Sequence, residues 1–371
     1  MFRNLRRVMS KALKLTRPAK LAAAAWKVQS AATKALTVAK PKRTVKSKAA
    51  SARRAPLGET LRRISAGGMP KHPKLPRAKA KPPRGARFVT AQFASEHGKR
   101  SYKLYLPAQA APGATAMPLV IMLHGCTQTP DDFAVGTGMN RLADERGVLV
   151  AFPAQPAGAN RNKCWNWFRP SDQGRDRGEP ALIAGIVQQI LRDHPADPER
   201  VYIAGLSAGG AAAAIIAAAY PDIFAATGVH SGLPVGAAQD PVSALIVMRT
   251  GSLGSRLDIA VPTIIFHGDA DDVVNPRNGR AVAAQSVAAF PALSAVDKPG
   301  KRAGGHRYVK TAHRGDNRKS YCEHWVIEGA GHAWSGGDPA GSFTDPAGPD
   351  ASREMLRFFL QHRLSPKRGV A

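Results

Sequence analysis

Val201-Tyr202-Ile203-Ala204-Gly205-Leu206-Ser207-Ala208-Gly209-Gly210 is the stretch whose reading decides the fold. Val201, Tyr202 and Ile203 are β-prone, and the Ala-rich run 211–219 that follows has the composition of a helix. Between strand and helix lies Gly-x-Ser-x-Gly. A strand that turns sharply into a helix strains the residue at the corner, and side chains two positions either side would collide with the neighbouring strand and helix. Glycine at 205 and 209 removes the collision. The corner lifts the Ser207 hydroxyl above the sheet, at a helix N-terminus whose amides and dipole favour negative charge. Ser207 is therefore expected to be a nucleophile.

A serine hydroxyl attacks poorly until a base takes its proton, so Ser207 predicts a histidine and a carboxylate elsewhere in the chain. In the α/β-hydrolase arrangement the order is Ser, acid, His, each on a loop after a strand. After the apolar run 263–266 comes His267-Gly268-Asp269-Ala270-Asp271-Asp272. Asp271, the fifth residue of His-Gly-x-x-Asp, is the expected acid, with Asp269 and Asp272 as exposed turn carboxylates. His332 lies in Gly329-Ala330-Gly331-His332-Ala333-Trp334, directly after the last strand-like run, and is the expected base. His230 is its rival by closeness to the serine, but it precedes the acid and ends a strand, where packing is its role. His124 and His267 each precede a glycine at a strand end and are read as shaping their loops.

The tetrahedral oxyanion needs two backbone donors. The Ala208 amide follows the nucleophile, and Cys126, after the run 119–123, offers the second. Cys126 and Cys164 both fall on loops at the same edge of the expected sheet. A bridge between them would close about 38 residues and contribute roughly 4 kcal/mol in the chain-entropy model; the alternative is two buried thiols. Cys322 would stay free. The three cysteines lack metal-ligand spacing, and no metal or organic cofactor is implied. Trp165, Trp167 and Trp334 are placed either as walls of a substrate groove or as loop anchors in the core, with Trp334 and Trp165 taken as the substrate-binding pair.

The rest of the chain frames this site. Residues 1–87 hold 25 Lys+Arg and one acid, Glu59, whereas residues 88–371 hold 29 Lys+Arg and 25 Asp+Glu, so nearly all of the net +28 lies in an N-terminal extension. Phe2, Leu5, Val8, Met9 and Leu13 fall on one helical face among Arg and Lys, predicting an amphipathic basic helix. Residues 41–87 carry almost nothing to bury and read as a disordered linker. Such an extension is either plain solvated chain or a device for holding an anionic or polymer surface; no specific nucleic acid is predicted. No run of 18 apolar residues predicts a transmembrane helix, and residues 21–26 are too short for the apolar core of a secretory signal.

From residue 88 onward, strand and helix patterns alternate. A hairpin is expected over 87–94 and 101–106, strands at 119–123, 148–152, 223–229 and 321–327, and helices at 139–146, 182–191 and 352–363. The alternation predicts a mostly parallel central sheet with helices on both faces in a domain of residues 88–364, which together with the elbow and the order Ser, acid, His fits the α/β-hydrolase fold. Residues 232–258 are expected as a cap over the site, and 292–320 as a basic insertion.

His124-Gly125-Cys126, Asn162-Lys163-Cys164-Trp165-Asn166-Trp167-Phe168, Gly205-Leu206-Ser207-Ala208-Gly209-Gly210, Phe266-His267-Gly268-Asp269-Ala270-Asp271 and Gly331-His332-Ala333-Trp334-Ser335-Gly336-Gly337 together resemble the poly(3-hydroxybutyrate) depolymerase family of esterases. The resemblance covers roughly residues 88–362. It implies Ser207, Asp271 and His332 as a triad, Cys126 in the oxyanion loop, and short-chain polyhydroxyalkanoate as substrate; related members act on feruloyl or acetyl esters of plant polysaccharides. It also implies secretion, with a cytoplasmic, polymer-granule-associated location as the alternative. A different class of function is a surface-binding protein whose basic extension coats granule, membrane or nucleic acid. The catalytic core is expected to be monomeric.

Overall fold

In a computed structural model, residues 83–111 and 113–364 are described. The expected amphipathic helix and all but the last residues of the expected linker lie outside them. The sheet begins with a hairpin, β1 (Arg87–Ser95) and β2 (Gly98–Leu106), paired in register from Arg87 with Leu106 to Ser95 with Gly98. β3 (Met117–Leu123) is buried throughout, as its unbroken apolar sequence requires of a strand covered on both faces.

Two short helices follow, α1 (Pro130–Thr137) and α2 (Met139–Arg146), then β4 (Leu149–Pro153). α1 starts where Thr129 accepts from the Asp132 amide and Pro130 fills the first turn. Next come α3 (Gly178–Asp193), β5 (Ala196–Leu206), α4 (Ala208–Ala219) and β6 (Ala226–His230). The chain continues through α5 (Pro241–Thr250), β7 (Thr263–Gly268), α6 (Arg277–Ala288), β8 (Ser294–Lys301), β9 (Arg307–Arg314) and β10 (Ser320–Ile327). A small pair, β11 (Trp334–Ser335) and β12 (Thr344–Asp345), precedes α7 (Ala351–Phe359).

The large sheet has the order β1-β2-β4-β3-β5-β6-β7-β10-β9-β8. β4, β3, β5, β6, β7 and β10 run parallel, and antiparallel strands extend both ends. This is the α/β-hydrolase fold. Alternation along the strands sorts the core into two layers. Leu119, Ile121, Leu123, Val201 and Ile203 pack with Ile183, Ile186 and Ile190 of α3 and the alanines of α4. Val120, Met122, Val150, Tyr202 and Ala204 face the other way, onto Leu142 of α2 and Met355, Phe358 and Phe359 of α7.

One stretch departs from expectation. Residues 292–320 are not an insertion but largely two strands that carry the sheet two positions beyond β10. β8 is an edge strand, exposed almost throughout, which tolerates its Pro299 and the charges Lys298 and Lys301.

Parallel pairing brings the loop-bearing ends of five strands to one edge. Leu123 pairs with Gly205, Leu206 with His230, His230 with Phe266, and Gly268 with Ile327. Every residue expected to act chemically follows one of these ends.

Candidate active site

Ser207 sits between β5 and α4 with φ 58° and ψ −119°, a conformation that L-residues seldom adopt. The flanking glycines are dictated by space. A Cβ on Gly205 would lie 2.3 Å from the Gly209 carbonyl, and one on Gly209 would lie 2.1 Å from the Leu123 carbonyl oxygen. The Ser207 amide donates to the His230 carbonyl at 2.8 Å, tying the strained corner to β6.

Asp271 follows β7 and is buried. Its Oδ1 accepts from the amides of Val273 at 3.0 Å and Val274 at 2.8 Å, and its Oδ2 accepts from His332 Nδ1 at 2.8 Å. His267 Nε2 donates to the Val274 carbonyl at 2.9 Å and lies 3.4 Å from the same Oδ2. Burial alone would raise the Asp271 carboxyl, but the facing charge of His332 and hydrogen bonds from His267 and His332 hold it well below the usual carboxylate range. Asp269 is exposed and accepts from the Gly329 amide, and Asp272 is exposed. Of the three neighbouring acids, Asp271 is the one brought to His332.

Ser207, Ala208, Cys126 and His332 line one cavity of about 320 Å³. Trp167 and Phe168 also line it, as do Ala244, Leu245 and Met248 of α5, so the stretch expected to cap the site supplies part of its wall. Lys and Arg side chains are absent from its lining among the described residues.

Near Cys126 the main chain is almost fully committed. The Gly125 amide donates to Gln128 Oε1 at 2.8 Å, Thr127 to the Asn162 carbonyl at 2.7 Å, and Gln128 to the Gly125 carbonyl at 3.3 Å. That leaves the Cys126 amide without an acceptor among the described residues. Cys126 and Cys164 are joined by a disulfide, and Cys322 is a buried free thiol whose ionisation burial pushes up to about 12.

The expected substrate contacts of Trp165 and Trp334 require correction. Both are fully buried and neither lines the cavity. Trp165 Nε1 donates to the His124 carbonyl at 3.1 Å, and Trp334 Nε1 donates to Ser352 Oγ at 2.9 Å. Each indole thus satisfies its one donor inside the protein and anchors a loop. His230 has a packing place, stacked on Phe266 and Trp334, with Nε2 accepting from the Ser335 amide at 2.9 Å. Burial lowers its pKa to about 3. His124 Nε2 accepts from the Gln155 amide at 3.1 Å, its Nδ1 donates to the Gly125 carbonyl at 2.8 Å, and burial lowers its pKa to about 4. Gln128 and Gln155, which no motif in the sequence distinguishes, are the unforeseen supports of this loop.

Among the described residues no group of three or more His, Cys, Asp or Glu side chains is arranged to hold a metal ion. No helix among them is long and apolar enough to cross a membrane.

Residues 100–310, more than half of the chain, match the family described as Esterase PHB depolymerase. The chain belongs to this family. The Esterase PHB depolymerase match spans Ser207 and Asp271 and ends before His332. Similar members include a poly(3-hydroxyalkanoate) depolymerase C from Paucimonas lemoignei, 34% identical over 234 residues, or 58% of this chain and 54% of that one. A feruloyl esterase B from Thermothelomyces thermophilus is 33% identical over 142 residues, 38% of this chain and 47% of its own. The chain spans about half the length of these curated relatives. Among solved structures, the acetyl xylan esterase from Aspergillus awamori superposes with a TM-score of 0.57 at 19% identity, covering 73% of this chain and 98% of that one, a likeness of fold.

Proposed function

We propose that the protein hydrolyses carboxylic esters through an acyl-enzyme, with Ser207, Asp271 and His332 as its catalytic triad. The observation that carries this reading is the His332–Asp271 hydrogen bond at 2.8 Å, set at the cavity that Ser207 also lines. His332 Nε2 takes the Ser207 proton as Oγ attacks the ester carbonyl carbon, while Nδ1–H stays on Asp271, whose charge stabilises the imidazolium. The oxyanion is bound by the amides of Cys126 and Ala208. His332 then gives the proton to the departing alkoxide. Water attacks the acyl-enzyme by the same route in reverse, releasing the acid and restoring Ser207.

The substrate we favour is short-chain polyhydroxyalkanoate, polymer or oligomer. An apolar cavity and the resemblance to a poly(3-hydroxyalkanoate) depolymerase support it. A feruloyl- or acetylxylan-type esterase is the second reading, supported by the aromatic wall of Trp167 and Phe168 and by the feruloyl esterase relative. The Cys126–Cys164 disulfide supports an oxidising, extracellular setting for a catalytic unit of residues 88–364. The basic extension is proposed to hold an anionic or polymer surface.

The test is hydrolysis of p-nitrophenyl butyrate, a 3-hydroxybutyrate trimer and methyl ferulate by the wild type and Ser207→Ala. Cleavage by the wild type with a loss of about 10⁴-fold or more in the variant is expected. Equal inertness of the two proteins overturns the esterase reading, and preference for ferulate over the trimer selects the second substrate class.

A further inference from the structure

A buried polar network that the proposed reaction does not use directly is hydrogen-bonded to the loop segment bearing Cys164, Trp167 and Phe168, which line the cavity. Glu179, in the first turn of α3, and Arg100, on β2, are both nearly inaccessible to solvent, with Arg100 Nη2 3.9 Å from Glu179 Oε1. Burying such a pair costs desolvation that its attraction seldom exceeds by much. Burial accordingly raises the Glu179 carboxyl above its ordinary value, against the pull of its hydrogen bonds.

The hydrogen bonds show what the pair is connected to. Glu179 Oε2 accepts from the Asn166 amide at 2.8 Å, and Oε1 accepts from Asn166 Nδ2 at 2.9 Å and Gln155 Nε2 at 2.5 Å. Gln155 Nε2 also donates to the Cys164 carbonyl at 2.9 Å, and Gln155 Oε1 accepts from Arg100 Nη1 at 2.7 Å. The Gln155 amide donates to His124 Nε2, and the other nitrogen of that ring grips Gly125. One carboxylate therefore reaches two parts of the cavity. Through Asn166 it holds the loop segment of residues 164–168, which carries Trp167 and Phe168. Through Gln155 and His124 it reaches the loop that presents the Cys126 amide.

We propose that Glu179, acting with Gln155, is a positioning residue that sets the oxyanion loop and the aromatic wall relative to each other. The proposal rests on the esterase reading. A carboxylate with four lone-pair directions can accept from Asn166 and Gln155 together, whereas an amide at 179 would turn a donor toward one of them. The register of the two loops would then relax.

The experiment compares Glu179→Gln and Gln155→Met with the wild type on p-nitrophenyl butyrate, with rates normalised to active sites titrated by a fluorophosphonate. Inhibition by butylboronic acid, which becomes tetrahedral on Ser207 and needs the oxyanion donors, is measured alongside. The expected result for both variants is a fall in kcat of about 10-fold or more per active site and a boronate Ki raised in parallel. In Glu179→Gln, KM rises as well, because the aromatic wall also shifts. A purely structural role would lower melting temperature and the number of active sites while leaving kcat per site and Ki unchanged, and that result overturns the proposal. If Glu179→Gln does not fold, Gln155→Met, which leaves the buried charges in place, decides by the same readouts. A wild type inert on the butyrate ester would instead overturn the esterase reading, so the two failures are distinct.

Discussion

Gly209 and Leu123 approach so closely that a single added methyl group at 209 would stand 2.1 Å from the Leu123 carbonyl oxygen. The helix bearing the nucleophile is thereby seated directly on the strand that leads into the oxyanion loop. Gly209→Ala must push the two apart, costing about 1–3 kcal/mol or more as an overpacked contact and displacing the Cys126 amide from Ser207. A reduced melting temperature together with lost esterase activity is expected; a variant as stable and active as the wild type would refute the close seating.

The second prediction concerns the carboxylate. Asp271→Asn keeps the shape of the site but removes the charge opposite His332 and its fixed acceptor at Oδ2. A fall in kcat of about 10⁴-fold is expected, by analogy with the same change in other serine hydrolases. Asp269→Asn, which alters only the bond to the Gly329 amide, should keep kcat within a few-fold. Equal effects from the two variants would remove Asp271 from its proposed role.

Reducing the Cys126–Cys164 bond should act on stability and rate together. The chain-entropy model assigns roughly 4 kcal/mol to a closed loop of this length. Loss of the tether also frees the loop that presents the Cys126 amide, and loss of one oxyanion donor typically costs about 10²–10³ in kcat. Chemical denaturation and turnover, measured with and without a thiol reductant, read the two effects. Unchanged kcat after complete reduction would show that the loop holds without its bridge.

Acid should weaken the fold before it reaches the carboxylates. His124 and His324 titrate at about 4, and His230 and His362 at about 3, in each case first because burial opposes the charged form. An unfolded chain binds protons at these positions near pH 6.5, so it takes up more than the native state between there and about pH 3–4. Stability from these four groups is complete above that window and is lost as pH falls through it. Asp271 acts in the same direction but lower on the pH scale: its depressed pKa contributes stability above the ordinary carboxylate range that is lost only as pH falls below it. The urea midpoint should therefore fall steadily from pH 7 to 4.5, by an amount well beyond measurement error; a flat profile would contradict the buried neutral histidines.

The α5 wall should govern the length of chain accepted. Met248→Trp fills part of the cavity that Met248 lines together with Trp167 and Phe168. Hydrolysis of p-nitrophenyl octanoate is expected to drop by about 10–100-fold in kcat/KM while p-nitrophenyl acetate changes little, the range a few methylenes of lost pocket commands. A parallel loss on both esters would place Met248 elsewhere in the reaction.

How far the sequence disclosed these features depended on how local their causes were. The elbow was legible because glycine two positions either side of a serine between a strand and a helix is what any such sharp corner requires, and the buried parallel strands because continuous apolar runs have few other uses. Asp271 and His332 followed from their places after strand ends. β8 and β9 were not legible: β8 is an edge strand exposed at most positions, and β9, with Arg307, Lys310 and Arg314, fully buries only Ala312, so neither has an apolar alternation to read. α1 was missed although Thr129 and Pro130 mark its start, because eight residues carry too little periodicity. The places of Trp165 and Trp334 depend on acceptors at His124 and Ser352, distant in sequence, and no local pattern reports them.

The absence of Lys and Arg from the cavity lining among the described residues bears on the end of the catalytic cycle. A neutral ester enters, but hydrolysis leaves a carboxylic acid that ionises at neutral pH. An anion in a largely apolar chamber has lost its hydration and gains no cation in return. Its escape to water is favoured by the same surroundings that welcomed its precursor, so turnover would be driven outward by the change of charge, and accumulated acid product should inhibit weakly.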